Sequence, residues 1–420
     1  VLIGGHVTRL EGSVVVRLTV IQTKHNGIQT KHDGIQPKHH GIQTKHNGIQ
    51  TKYSGTWIGR NAYMMTRCAA LLAIAVARMA SAASADDIVI ERLFGPEIPG
   101  GIYKHPAAIE QLDNGDFYVV YYGGEGEYDG DTKVFGSRLK KGETEWSTPA
   151  TIADTPNRAE GNGVVFQAPD GVVWLFYICR YGDTWSDSRI NYKVSHDGAH
   201  TWSDSYLLTM EKGTMVRNRP IVLGDGDYLV PIYHETGHDT EIVGADTSSF
   251  FLRYNPQKKE WSESTRIYSR MGNLQPAPVE VSPGHLICFC RRGGGYEALD
   301  DGWMVRSESN DGGRTWSPGE ETKIKNANAA VDLLKLSSGN IMLVFNDNMN
   351  DRTPLSVAIS TDGGKTFPHQ RDILTGEGPY AYPMALEAED GKIYVIYTTE
   401  NRTVVMRAIF DEAAILAGGK

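Results

Sequence analysis

The stretch SNDGGRTW at residues 309–316 decides how this chain is read, because it is written three times. It returns as SHDGAHTW at 195–202 and as STDGGKTF at 360–367. Ser and Asp in such a setting accept hydrogen bonds from the N–H groups of a tight turn. The glycines supply positive φ, and the terminal ring wedges into a blade of the fold. Every polar group then has a structural task, so the octamer reads as a fold staple and not as chemistry. The ring recurs even where the turn has decayed: Trp146, Trp202, Trp261, Trp316 and Phe367 stand 56, 59, 55 and 51 residues apart.

A second repeat runs with the first. Six segments share a polar start, a short apolar strand, a Gly-containing turn and a strongly apolar strand, beginning at His105, Asn162, Arg219, Gln275, Asn328 and Tyr382. Their spacings are 57, 57, 56, 53 and 54 residues. Asn-Gly, Asp-Gly and Ser-Gly turns between β-branched and aromatic runs are hairpin signals. A period of this length with about four strands per unit means radial repetition. The expected fold is therefore all-β, a six-bladed β-propeller of four-stranded antiparallel blades. Its six strand starts converge on the axis and ring a mouth. A second ring comes from the ends of the second strands: residues 125–131, Arg180, His234 with Glu235, Arg291 with Arg292, and Asn346 with Asp347. Arg, His, Tyr and carboxylates concentrated at equivalent positions point to a binding site. The sequence leaves open whether Arg217 or Arg219 turns inward.

The N-terminal part reads differently. Residues 21–55 are a seven-residue tandem, IQTKHNG and variants, polar and glycine-punctuated, so residues 1–63 are expected to be low-complexity and without a packed core. Residues 64–85, MMTRCAALLAIAVARMASAASA, have the charged, apolar and small-residue layout of a signal peptide. Translation is accordingly expected to start at Met64 or Met65, and the propeller to occupy 86–420, secreted or periplasmic and without a transmembrane anchor. The whole chain holds 42 Lys/Arg and 51 Asp/Glu; leaving out residues 1–85, which hold 10 and 2, gives a formal charge of −17. Such a surface disfavours nucleic acid as a partner. Cys179, Cys288 and Cys290 are expected as buried free thiols. EYDGDTK and NDNMND are oxygen-rich, but turn composition accounts for them, and no metal or cofactor is expected.

The octamer resembles the Asp-box, S-x-D-x-G-x-T-W, of the sialidase (neuraminidase) superfamily. The likeness runs from about Ile88 to Phe410, and NDRTPLSVAISTDGG and YAYPMALEAEDGKIYVIYT are similar to the bacterial branch of predicted neuraminidases. The resemblance implies a site opposite the Asp-boxes, a tyrosine nucleophile and three arginines gripping a substrate carboxylate. Tyr382 matches the tyrosine, Arg291 or Arg292 the second arginine and Arg352 the third. The first belongs to an RIP motif, where this chain has KHP and so His105. The glutamate that would deprotonate the tyrosine falls near Gln275, and Glu235 is the expected substitute. Glu127, Asp129 and Asp131 compete for the acid/base role, with Asp129 preferred. Arg180, Arg219, Asn162, Asn328 and Gln275 complete the expected substrate-binding set.

The resemblance and the residues together imply a secreted exo-glycosidase of sialidase type that releases a terminal acidic sugar from a glycan carrying a carboxylate. Two alternatives stand beside it. One is a polysaccharide lyase acting on uronates through a His105–Tyr382 pair. The other is a non-catalytic glycan-binding propeller with Tyr128, Tyr181, Trp185 and Tyr296 as stacking platforms.

Overall fold

The computed structural model describes residues 2–10, 13–21, 88–237 and 242–418. The chain divides into two compact units, residues 1–76 and 77–420. In the first, Leu2–Leu10 and Ser13–Ile21 pair as an antiparallel hairpin. SVVVRLTVI is a β-branched run with strong strand preference. The remainder of the heptad tandem and the signal-peptide segment lie outside the described residues.

The second unit is built of six antiparallel sheets among the described residues. Their inner strands are Tyr103–Gln111, Ala159–Gln167, the interrupted pair Thr214–Val216 and Ile221–Val222, Asn273–Ser282, Asp332–Lys335 and Ala381–Glu387. These open blades one to six, and the chain runs outward through each blade in order. Blade six alone is composite. Its outermost strand is Val89–Phe94, paired to Val404–Phe410, so the two ends of the propeller chain close the ring. The second strands have apolar middles, as in FYVVYYGG at Phe117–Gly124 and HLICFCRR at His285–Arg292, because each lies between neighbouring sheets and is covered on both faces. Cys179, Cys288 and Cys290 are buried free thiols.

The repeated octamer follows the third strand of its blade. Ser309 Oγ accepts from Gly313 N–H at 2.9 Å, and Asp311 Oδ1 accepts from the N–H groups of Arg314 and Thr315 at 3.0 and 2.9 Å. The copies at 195 and 360 repeat these bonds. Gly313 has φ 80°, and a Cβ there would press on Leu229 of blade three at 3.1 Å. The terminal ring packs on the preceding blade: Trp316 on Phe251 at 4.4 Å, Phe367 on Phe289 at 5.6 Å, Trp261 on Trp174 at 6.2 Å, Trp202 on Tyr118 at 6.3 Å and Trp146 on Phe94 at 5.7 Å. The octamer thus staples blade to blade.

The break in the inner strand of blade three has a purpose. Arg217, Asn218 and Arg219 leave the ladder and reach across the axis. Arg217 Nη2 donates to Tyr382 O of blade six at 2.5 Å. Asn218 Nδ2 donates to Gln275 O and Pro276 O at 3.0 Å and Val331 O at 3.2 Å, in blades four and five. Arg219 bonds Glu110 of blade one at 3.1 Å and Ala385 O at 2.8 Å. Three consecutive side chains therefore close the axial channel.

Candidate active site

The residues at the mouth are aimed by backbone irregularity. Asn162, Gln275, Asn328 and Tyr382 stand at equivalent places with φ of 40°, 54°, 52° and 53°. Ladder registers shift beside three of them, at Gly161/Val164, Leu274/Ala277 and Ala381/Met384, and again at His105/Ala107 in blade one. A bulge re-aims a side chain, and left-handed φ in a non-glycine residue stores strain that marks functional sites. Here the effect is to turn a polar side chain of one blade after another to the axis.

They meet in a narrow cavity at the mouth. Of the expected residues, His105, Glu127, Asn162, Trp185, Glu235, Gln275, Arg291, Tyr296 and Tyr382 line it, joined by Tyr122 and Tyr233. Tyr382 is the centre. Its phenol oxygen accepts from Arg291 Nη1 at 2.9 Å, and the guanidinium carbons of Arg352, Arg217 and Arg291 lie 5.2, 5.4 and 5.8 Å from its ring centroid. Burial alone would push this phenol up, but Arg291, Arg352 and Arg402 outweigh it and bring the group down to about 8. Asn328 does not line the cavity. Its Oδ1 accepts from Arg291 Nε at 2.6 Å and fixes that arginine in place. Arg352, 7% exposed, is buried against the same tyrosine.

His105 packs edge-on against Tyr382, ring centroids 4.3 Å apart. Thr398 Oγ1 lies 2.6 Å from its Nδ1 and 3.3 Å from Ala381 O. The hydroxyl proton goes to that carbonyl, so Oγ1 accepts from Nδ1–H, and Nε2 carries the lone pair with no partner among the described residues. Burial, then Arg402, Arg352, Arg217 and Arg291, hold this imidazole neutral. Glu235, partly exposed at the wall, is pushed up to about 7 by burial, with Arg291 opposing. It is therefore a group that can carry a proton near neutral pH.

Four expected residues stand elsewhere. Arg219 is on the far side of the axial closure, paired to Glu110; Arg217, two residues earlier, is the one that packs against Tyr382, buried and donating to its carbonyl oxygen. Arg292 points away from the cavity and donates to the carbonyls of Asn326, Gly293 and Gly295, as strand alternation with Arg291 demands. Asp129 is exposed, and from its loop it is Glu127 that reaches the cavity. Arg180 bonds Tyr128 O and packs on Tyr128 and Trp185, supporting the wall from behind.

Sequence reasoning missed Arg402. It ends the turn Glu400–Asn401–Arg402, whose φ values of 50°, 55° and 66° are all positive without a glycine. Its guanidinium pairs with Glu127 across the mouth, joining blade six to blade one. No group of three or more His, Cys, Asp or Glu residues able to hold a metal occurs among the described residues.

Residues 115–395 match the BNR repeat-like domain family. The chain belongs to that family. No curated protein matches it, but solved structures do. The NanB sialidase of Streptococcus pneumoniae superposes with a TM-score of 0.65 at 11% identity, over 78% of this chain and 71% of that one. A Hadza microbial sialidase gives 0.63 at 15%, over 75% and 67%. A protein of unknown function from Dyadobacter fermentans gives 0.62 at 15%, over 77% of this chain and 98% of its own. At such identities the likeness is one of fold: this BNR repeat-like chain is a six-bladed propeller of sialidase-like architecture.

Proposed function

We propose that this chain is an exported, sialidase-type glycosidase that removes a terminal acidic sugar from a glycan. The observation that carries the reading is the Tyr382 phenol, lowered to about 8 beneath Arg291, Arg352 and Arg402 although burial opposes it. A phenolate is a competent nucleophile beside an anionic substrate, and the same arginines suit a carboxylate. In this scheme the Tyr382 oxygen bonds to the anomeric carbon. The glycosidic C–O bond breaks with its electron pair on the leaving oxygen, which takes the proton of Glu235. Water then displaces Tyr382, giving its proton to the Glu235 carboxylate. Glu235 takes the role because Asp129 is exposed and Glu127 is engaged by Arg402. The axial closure by Arg217, Asn218 and Arg219 makes the cavity a dead end, which favours action on chain termini.

A second reading, elimination from a uronate, is favoured by one observation: the bare Nε2 of His105 beside Tyr382. Incubation with sialosides and with uronate-containing glycans separates the two. Released acidic monosaccharide, abolished in Tyr382→Phe, supports hydrolysis, and a new near-ultraviolet absorbance from an unsaturated product supports elimination. Neither product, with Tyr382→Phe indistinguishable from the parent and sugar still bound, leaves a glycan-binding propeller and ends the catalytic proposal.

A further inference from the structure

The mouth-side rim of blade two carries a cationic group that plays no part in the proposed catalysis. Arg158 immediately precedes the inner strand Ala159–Gln167, and Arg189 lies in the third strand, Ser188–Ser195. Each places its guanidinium carbon 5.1 Å from the centroid of the Tyr181 ring, which is 40% exposed. Neither arginine forms an ion pair among the described residues; Arg189 Nε donates to Met210 O at 3.1 Å. Asp183, on the same loop, pairs with neither.

A carboxylate that anchors an arginine also cancels its field, whereas an aromatic face holds the cation and leaves its charge largely uncompensated. Arg266 and Arg270, for comparison, are each tied to carboxylates. Two uncompensated guanidinium groups fixed on one ring are conspicuous in a propeller unit of strongly negative charge. They also border the cavity. The loop that begins at Tyr181 puts Trp185 into the cavity wall, and the strand after Arg158 puts Asn162 there.

We infer that Arg158, Tyr181 and Arg189 form a subsite for a second anionic group, a carboxylate or sulfate on the sugar next to the one held in the cavity. Guanidinium forks suit either planar or tetrahedral oxyanions, and the ring sets their spacing before the glycan arrives. The inference rests on the acidic-glycan reading and narrows it: the preferred substrate is a polyanionic chain, not an acidic sugar capping a neutral one.

The test is calorimetric titration of the full chain in a Tyr382→Phe background that stops turnover, using N-acetylneuraminic acid and its linear trimer as probes. The trimer is expected to bind about 5- to 10-fold more tightly than the monosaccharide at low salt, an advantage that shrinks as salt screens the rim. In Arg158→Ala/Arg189→Ala the two probes bind equally and the monosaccharide affinity is unchanged. A trimer that binds no better than the monosaccharide, or an advantage that survives the double substitution, overturns the subsite and leaves the cavity reading intact. If the protein binds neither probe, the acidic-sugar reading fails and the subsite with it.

Discussion

Replacing Arg291 by Met should switch off the acidity of Tyr382. Bringing a phenol from its ordinary 10.0 to about 8 corresponds to roughly 3 kcal/mol of preference for the phenolate. Arg291 is the largest favourable contributor and, among the described residues, the only donor to the phenol oxygen, at 2.9 Å. With it gone, burial regains the upper hand and the phenol should titrate at or above its ordinary range. Ultraviolet difference titration reads this directly. Burial pushes Tyr121, Tyr233 and Tyr397 the other way, so one early-ionising phenol stands apart from them. The wild-type protein should show that ionisation near pH 8, and both Tyr382→Phe and Arg291→Met should lose it. Because the native phenol releases its proton before the unfolded one, stability from this group grows between about pH 8 and 10 and is lost as pH falls through 8. An unchanged early titration in Arg291→Met, or its persistence in Tyr382→Phe, would refute the reasoning.

Three further outcomes are expected. Catalysis that needs the Tyr382 phenolate together with protonated Glu235 should give a narrow bell-shaped pH profile around the limits set by about 8 and about 7, and Glu235→Gln should cost about 100-fold in kcat, measured by initial rates. Ser309→Ala leaves the buried Gly313 N–H without its acceptor and should lower stability by about 1–2 kcal/mol in urea denaturation, with activity unchanged. Arg219→Met strands the buried Glu110 carboxylate and should cost about 3 kcal/mol of stability without changing KM, because Arg219 lies across the axial closure from the cavity.

The propeller was legible because its signals are periodic: a turn that returns with its ring, and hairpins whose spacing barely drifts. The site was legible in outline for the same reason, since residues at one phase of a radial repeat must converge. What escaped was which of two nearby residues turns to the axis. Arg219-Pro220 looks like His105-Pro106 and Tyr382-Pro383, yet the inner strand of blade three is broken, and it is Arg217 that faces Tyr382. Arg291 and Arg292 differ only in which side of one strand they occupy. Asp129 and Glu127 sit in a loop with no periodicity to fix direction. Arg402 lay in ENRT, which reads as an ordinary turn; its three left-handed residues contain no glycine to announce them.

The axial bridge from blade three also bears on how the molecule comes apart. Repeat proteins in which each module touches only its neighbours can fray from an end. Here blade three is bonded directly to blades one, four, five and six by Arg217, Asn218 and Arg219. None of those petals can detach while that hub is intact, so amide exchange along their inner strands should be governed by a single global opening.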